Sequence, residues 1–381
     1  MKCLPQAKLA LAKGNVVHDW HAEVLAIRAF NRWLVDECAE LAKQGMPHAN
    51  GKSEGTWVRW RRRGEAGGGV DGRSREEDLT IYEQGRAVKD SSKQERVNTP
   101  PFAILDDVQI HMYCSEAPCG DASMELTMAE QEDATPWTQP PAEDGMLGRG
   151  NFDQLGVVRR KPARPDAPPT LSKSCSDKLA MKQCTSLLSS ITSLVAQPNN
   201  AYLKTLVLPK ERCVPEAVER AFGKDGRMNG VAEEDAQERW REAGCVFQPF
   251  EVKTTDRVFD YSKEPHAALP GEAIEAAAPV SSNLSALYTP QRLEVLINGV
   301  LQGRKQNDAK GASCVSRRRM WESVRAVTKS TGLTDMTACD NYAHLKNSQT
   351  LERREDVKKN ARERALKGWK RNVGDEDWSL T

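Results

Sequence analysis

The sequence predicts an α/β fold in which helices pack on a mixed central sheet and the C-terminal half is enlarged. Three features support this class: amphipathic stretches with helical spacing, apolar runs with strand character between them, and a hydrophobic fraction of 39% in a chain of 381 residues. A chain of this kind has enough apolar material for a sizeable core. We expect residues 1–381 to form a single domain.

The first helix and the first strand follow from side-chain periodicity. Apolar residues recur at helical spacing between Val24 and Leu34, so we expect a helix from residue 21 to about residue 38. Residues 108–112 alternate apolar and polar side chains, as a half-buried strand does. The tetrapeptide Pro118-Cys119-Gly120-Asp121 comes next and is typical of a turn from a strand into a helix.

A second amphipathic stretch begins at Cys175 and continues to Val195. Ser174 and Asp177 stand near its start, where their side chains can cap free backbone N–H groups. Residues 202–208 are almost continuously apolar, which predicts a buried strand. The order helix, strand, helix, strand is the one that an α/β domain requires.

Other parts of the chain are less regular. Residues 211–278 mix helical and polar segments without a clear period, whereas Asn298-Gly299, within residues 293–301, is a strong hairpin signal. We interpret about 51–101, rich in Gly, Ser and charge, and about 125–147, rich in acid and Pro, as low-order insertions.

The charge of the chain is balanced overall but segregated along its length. There are 55 Lys and Arg against 54 Asp and Glu, which gives a formal net charge of +1 and excludes a uniformly basic tail. Residues 303–371 nevertheless carry a marked excess of Lys and Arg. No run approaches the roughly 18 apolar residues of a membrane span, and no secretory leader is evident. The ten scattered Cys predict reduced thiols, so we expect an intracellular protein.

One set of residues predicts a metal site. His21, Cys119 and Cys175 each stand at a predicted helix start and supply one imidazole and two thiolates, the ligand types that zinc prefers, with a fourth position left open. Glu23 follows two residues after His21, where its carboxylate can exchange a proton with the reacting water without binding the metal. The alternative interpretation is two inert buried thiols and a histidine at a helix start.

Four ordered segments resemble the signature blocks of the eukaryotic adenosine deaminases that act on RNA. These segments are His18–Val24, Ser115–Met124, Gly148–Phe152 and Ser174–Lys178. Two further segments, Lys2–Pro5 and Lys161–Thr170, resemble the tRNA-specific branch of that family. The resemblance implies a cytidine-deaminase-like three-layer fold and hydrolytic conversion of adenosine to inosine in tRNA, at the adenosine 3′ of the anticodon of alanine tRNA.

The same resemblance assigns roles to individual residues. It implies that His21, Cys119 and Cys175 bind zinc and that Glu23 moves the proton. It also implies an inositol hexakisphosphate under the active site, with Asp19 and Lys178 joining the zinc to that polyphosphate. The remaining implied ligands of the polyphosphate are Arg28, Arg317, Tyr342, Lys346, Lys358 and Trp369.

An inner polyphosphate would explain buried Lys and Arg, which are costly to bury without a compensating anion. The alternative is a solvated basic helix face, which is the usual fate of a charge run. Family members carry a helix and a strand before the segment that begins here at Lys2, so we expect a truncated start. Ile27 occupies a position at which relatives carry a second Arg.

A short segment outside these blocks interleaves aromatic and basic side chains. It runs from Trp57 to Arg63, and its guanidinium groups belong to Arg59, Arg61, Arg62 and Arg63. Such a combination can stack on bases and pair with phosphates, so we expect either an RNA contact or a surface charge run.

Two rival functions remain open at this point. One is a deaminase of free nucleosides or nucleotides, and the other is a catalytically impaired, N-terminally truncated relative that only binds RNA. The presence of Glu23 argues against the second, because a purely structural zinc site needs no proton carrier. The partner that we expect is tRNA, not DNA and not a membrane, for a monomeric protein of the nucleus, the cytoplasm or both.

Overall fold

The computed structural model describes residues 2–45, 56–62, 99–130, 133, 135, 146–148, 150–162, 167–257, 259–260, 262 and 282–380. These residues form a mixed α/β structure with several sheets, so the predicted fold class is confirmed at this level. The α-helices are α1 (Leu9–Ala12), α2 (Ala22–Gln44), α3 (Met124–Ala129), α4 (Cys175–Thr185), α5 (Pro215–Phe222), α6 (Asn229–Ala232), α7 (Glu234–Arg241), α8 (Arg317–Ser330), α9 (Tyr342–Lys346) and α10 (Gln349–Arg364).

The strands belong to four sheets in the described part of the chain. They are β1 (Val58–Trp60), β2 (Phe102–Ile104), β3 (Ile110–Tyr113), β4 (Met146–Leu147), β5 (Arg159–Arg160), β6 (Leu203–Pro209), β7 (Glu251–Thr255), β8 (Leu284–Thr289), β9 (Arg292–Ile297) and β10 (Val300–Leu301). The order β3-β6-β7 forms a parallel sheet, with Met112 beside Leu206 and Val207 beside Lys253.

The antiparallel pairs lie in other sheets. β8, β9 and β10 form an antiparallel sheet in which β9 and β10 are joined by the predicted turn at Asn298-Gly299. Both turn residues have positive φ, at 54° and 79°, as a tight hairpin requires. A Cβ on Gly299 would stand 2.4 Å from the carbonyl oxygen of Val17, so the hairpin packs directly on the N-terminal segment.

Helix α2 is longer than the periodicity predicted. Its start after His21 agrees with the prediction, but it continues past Cys38 to Gln44, because Leu41 extends the buried face by another turn. Gly45, at φ 76°, then ends it. Through its buried face the helix packs on α8, β1 and β8.

The helix that begins at Cys175 is shorter than predicted. Ser174 caps α4 by accepting a hydrogen bond from the backbone N–H of Asp177, as expected, but the helix ends at Thr185, where Ser186 adopts φ 59°. The apolar residues that follow, among them Leu188 and Val195, are fully buried in irregular backbone and a 3₁₀ turn. Burial without regular helix explains why the periodicity alone was misleading.

Segments predicted to be irregular contain regular elements. Residues 211–278 include α5, α6, α7 and β7, and β1 lies within the predicted first insertion, where it pairs antiparallel with β2. Helix α3 occupies the beginning of the second predicted insertion. Residues 63–98 and 136–145, which make up most of both insertions, lie outside the described residues. No described helix is long and apolar enough to cross a membrane.

The C-terminal segment returns to the start of the chain. The buried carboxylate of Asp375 accepts a hydrogen bond from the backbone N–H of Gly14 at 2.8 Å and contacts His18 Nε2 at 2.7 Å. Arg317, at the start of α8, donates to the same carboxylate at 3.2 Å. These contacts hold the segment that leads into α2, and therefore the position of His21.

Candidate active site

Two sequence blocks meet at the starts of short helices. The backbone N–H of Cys175 donates to Cys119 Sγ at 3.3 Å, and the backbone N–H of Ser176 donates to the carbonyl of Cys119 at 3.0 Å. Gly120 permits this approach, because it has φ 105° and a Cβ there would lie 2.3 Å from Ser174 Oγ. The structure thus brings together two predicted zinc ligands that are 56 residues apart in sequence.

Buried ion pairs fix the helix that carries Cys175. Asp177 is fully buried; its carboxylate accepts from the side chain of Arg227 at 2.7 Å and from the backbone N–H of Arg159 at 3.0 Å. Arg159, equally buried, donates to the carbonyl oxygens of Asn151 and Gln154. These charges are paired or hydrogen-bonded, as buried charges must be, so α4 is rigidly oriented.

The third predicted ligand, His21, stands at the N-terminal end of α2. Its Nδ1 lies 2.8 Å from Asp19 Oδ1 and 3.8 Å from Cys3 Sγ. In the described part of the chain, the group of three potential ligand atoms within 4.8 Å of one another is Cys3, Asp19 and His21. The set of His21, Cys119 and Cys175 is therefore brought together only in part.

Glu23 lies in the first turn of α2. Its carboxylate is close enough to Cys119 and Cys175 to raise the pKa of each thiol by charge repulsion, although it is not the largest influence on either. The predicted proton carrier therefore faces the predicted metal ligands.

A lysine with no role assigned by the sequence connects these groups. Lys161 is buried and its Nζ lies 2.9 Å from Asp19 Oδ2 and 3.1 Å from Cys175 Sγ. Asp19 Oδ2 also accepts from Ser172 Oγ at 2.7 Å and contacts Lys178 Nζ. The predicted link from the site to Lys178 is thus present as a chain of contacts through Lys161 and Asp19.

The electrostatics of the two thiols favour one shared negative charge. The hydrogen bond with Cys175 is the largest effect that lowers the pKa of Cys119, to about 6, and nearby Lys161 and His21 lower it further against the effect of burial. The same hydrogen bond, together with burial, raises the pKa of Cys175. A reactive, metal-binding thiolate needs such an electropositive setting.

A group of cationic side chains lies behind α4, and we call it the basic cluster. Its members are Arg28, Lys182, Lys346, Arg354 and Lys358. Arg354 is 5% exposed and donates to the carbonyl oxygens of Thr185 and Leu188. Lys346 and Lys358 both donate to Ser190 Oγ and pair with Glu355 at 3.2 and 2.6 Å.

The basic cluster has fewer acids than cations. Burial lowers the pKa of Lys182 and Lys358 well below the usual value, and repulsion from Arg354 and Lys346, respectively, lowers it further. Burial would raise the pKa of Glu355, but Lys358 and Lys346 hold it down at about 2. Depressed lysine pKa values are what a buried cation shows when a counter-anion is missing.

The other predicted polyphosphate ligands lie on the elements around the cluster. Tyr342 is buried and stacks on Trp378 with ring centroids 4.7 Å apart, and the guanidinium of Arg317 lies 5.9 Å from the Tyr342 ring. Trp369 has Lys173 Nζ at 5.7 Å from its ring. Arg28 is more strongly repelled by Arg317 than attracted by Asp19.

Some of these residues could have been found from spacing. Lys182 lies one helical turn after Lys178, and Arg354 lies one turn before Lys358, so each shares a helix face with a predicted ligand. Lys161 had no comparable signal, because it follows the short strand β5 and reaches Asp19 only through the fold.

The arginines predicted to contact RNA have different surroundings. Arg59 lies on β1 and pairs with Asp106 at 2.9 Å, and Arg62 approaches the same carboxylate at 3.3 Å. Arg61 is partly buried just after the strand. Arg63 lies outside the described residues.

Comparison with known proteins places this site in a family. Residues 77–373 match the adenosine-deaminase (editase) domain family, so the chain belongs to that family and is a hydrolytic deaminase. The match begins after His21 and Glu23, which lie in the part of the chain covered by the relatives described next.

Three similar proteins carry the name tRNA-specific adenosine deaminase 1. The one from Schizosaccharomyces pombe is 33% identical over 380 residues, which is 99% of this chain and 82% of that protein. The one from Saccharomyces cerevisiae is 28% identical over 221 residues, 55% of this chain and 44% of the relative. The human protein is 27% identical over 227 residues, 58% of this chain and 42% of the relative.

Proposed function

We propose that this chain converts adenosine to inosine in tRNA by zinc-dependent hydrolysis, at the adenosine 3′ of the anticodon of alanine tRNA. The observation that carries the proposal is the contact between Cys119 and Cys175 beside Glu23, in a member of the adenosine deaminase family. The names of the three relatives support tRNA as the substrate. The central parallel sheet fits a cytidine-deaminase-like three-layer arrangement, which is part of this proposal.

The residues at the site fit a zinc ion by their chemistry. Cys119 and Cys175 offer two sulfur atoms in an electropositive setting, and His21 offers an imidazole whose Nδ1 is held by the Asp19 carboxylate. Zinc-binding histidines commonly donate one ring N–H to a carboxylate in this way. When bound, zinc supplies a nucleophile at neutral pH by lowering the pKa of a water molecule.

The protein's own groups would divide the remaining work. Glu23 would accept a proton from the attacking water and deliver it to the leaving amine, so that ammonia departs from C6 of the base. Asp19 orients the imidazole of His21, and Lys161 places a positive charge 3.1 Å from Cys175 Sγ. Lys161 is thus a positioning residue for the thiolate, because it touches no reacting atom.

The experiment that tests this function compares two substrates. Purified protein is incubated with alanine tRNA and, separately, with free adenosine, and inosine is measured in each. We expect inosine in the tRNA alone. Inosine from free adenosine would instead identify a nucleoside deaminase, and none from either substrate, in folded protein that contains zinc, would contradict the proposal.

A second measurement tests the ligand set. We expect one zinc per chain, lost in Cys119→Ser and retained in Cys3→Ser, because the proposed ligands are His21, Cys119 and Cys175. The Cys3 variant is a matched control, since its thiol also contacts His21. Zinc lost in Cys3→Ser and kept in Cys119→Ser would transfer the site to Cys3, Asp19 and His21.

Lys161 offers a further test. Lys161→Met keeps the length of the buried side chain but removes its charge, and we expect zinc affinity to fall about 10–100-fold, as it does when partners of metal ligands are removed. Competition with a chelator measures the effect, with exposed Lys13→Met as the control. An unchanged zinc affinity would mean that Lys161 does not tune Cys175.

We also propose inositol hexakisphosphate as a ligand of the basic cluster, with Lys182 and Arg354 added to the predicted Arg28, Lys346 and Lys358. The missing negative charge around these cations supports it. The contact of Arg59, Arg61, Arg62 and Arg63 with RNA stays a prediction, as do the monomeric state and the nuclear or cytoplasmic location.

A further inference from the structure

Two adjoining cavities form a groove beside the N-terminal segment, and we call it the N-terminal groove. Their volumes are about 460 and 430 Å³, and they share Lys8, Asn298 and Gln306. Both volumes lie in the range of about 300–1,000 Å³ that ligand sites occupy. One end of the groove is lined by Cys3, whose Sγ lies 3.8 Å from His21 Nδ1. The groove therefore runs from the candidate active site to the surface.

Hydrogen bonds hold the walls of the groove in place. The backbone N–H of Val17 donates to the carbonyl of Gly299 at 2.9 Å, and the Gln306 side chain donates to the carbonyl of Asn298 at 2.8 Å. Asn283 donates to the side chain of Asn298 at 2.9 Å. The groove is thus formed by the β9–β10 turn packed on the N-terminal segment, and its shape does not depend on an exposed loop alone.

The charge of the groove has one sign. Lys8, Arg304 and Lys305 line it, whereas the described residues contribute no Asp or Glu to either cavity. All three cations are exposed, and none forms an ion pair within the described part of the chain. Three free cations around a concave surface attract a polyanion.

The remaining lining suits bases better than a simple anion. The side-chain amides of Asn283, Asn298 and Gln306 can donate and accept hydrogen bonds at base edges. Leu11, 56% exposed, adds an apolar wall. Trp20 lies in the lining at the inner end, and its indole N–H has no hydrogen-bond partner among the described residues.

We propose that the N-terminal groove binds the single-stranded RNA next to the adenosine that enters the active site. Lys8, Arg304 and Lys305 contact phosphates, and the amides contact bases. This inference rests on the proposed function for the identity of the RNA, but the groove can be tested by binding alone. A basic channel with few fixed base contacts is a common way to hold a single strand.

The test uses the full chain and an alanine tRNA transcript. The groove variant combines Lys8→Ala, Arg304→Ala and Lys305→Ala, and the control combines three exposed cations elsewhere, Lys224→Ala, Arg325→Ala and Lys329→Ala, with the same change in net charge. The dissociation constant is measured over a series of salt concentrations. Unchanged melting temperatures establish that both variants are folded.

We expect the groove variant to bind about tenfold more weakly or worse, and its plot of log affinity against log salt to flatten by about two units, near 0.7 for each lost phosphate contact. The control should keep the wild-type slope. Equal losses in both variants would overturn the proposal, because only net charge would then matter, and so would an unchanged groove variant. Absence of inosine in the wild type would refute the proposed function while leaving this binding result to be judged separately.

Discussion

Glu23→Gln is expected to abolish inosine formation in alanine tRNA while the protein keeps its fold, its zinc and its affinity for the RNA. The amide has the size of the carboxylate but cannot accept a proton. General acid–base catalysis by one positioned side chain contributes about 10²–10⁴-fold to a rate. Because Glu23 serves both proton transfers, we expect a loss at the upper end of that range.

The structure explains why zinc should remain. Glu23 raises the pKa of Cys119 and Cys175 by repulsion, so removing its charge makes both thiolates easier to form. Glu40→Gln is the matched control, since Glu40 is exposed on the same helix and pairs with Lys43. Zinc content, tRNA affinity and inosine are measured for both variants. Substantial inosine formation by Glu23→Gln would refute the mechanism.

Local sequence was a good guide to single elements and to the motifs at their ends. The strands at 110–113 and 203–209, the turn at Asn298-Gly299 and the start of α2 were predicted closely, because each depends on spacing, turn chemistry or capping within a few residues. The shortened α4 was missed, since its apolar residues continue into a buried segment that is not helical.

The candidate site shows the same limit. Cys119, Cys175 and Glu23 were predicted from motifs and a family resemblance, and the structure places them close together. Lys161 acquires its role only because the chain returns it to Asp19, a contact that spans 142 residues. No spacing rule contains such a contact. The partner of a buried charge is therefore the part of a site that tertiary structure must supply.

The basic cluster leads to the second large effect. Inositol hexakisphosphate is expected to raise the melting temperature of the polyanion-free protein markedly, because a ligand that binds only the folded state stabilises it in proportion to the logarithm of its concentration. Five cations of the cluster face one acid, Glu355, so the folded protein without ligand stores repulsion that the phosphates remove.

A single substitution gives the prediction its sign. Lys182→Met should stabilise the protein without the polyphosphate, since replacing a poorly compensated buried charge by an apolar side chain is often neutral or favourable, and it should weaken the shift caused by the ligand. Lys359→Met, an exposed neighbour of Lys358, is the control and should change neither value. Thermal melts with and without the ligand distinguish the three proteins.

The lysine pKa values add a pH dependence. Because burial holds the pKa of Lys182 and Lys358 below the usual value, one or both lose their proton more readily in the ligand-free protein, and bound phosphates would raise those pKa values again. The complex then holds more protons than its components, so affinity should fall as pH rises and binding should take up protons. Calorimetry in buffers of different ionisation enthalpy measures the uptake. If the affinity were independent of pH and Lys182→Met bound the ligand as the wild type does, the cluster would be a solvated basic surface and not a polyphosphate site.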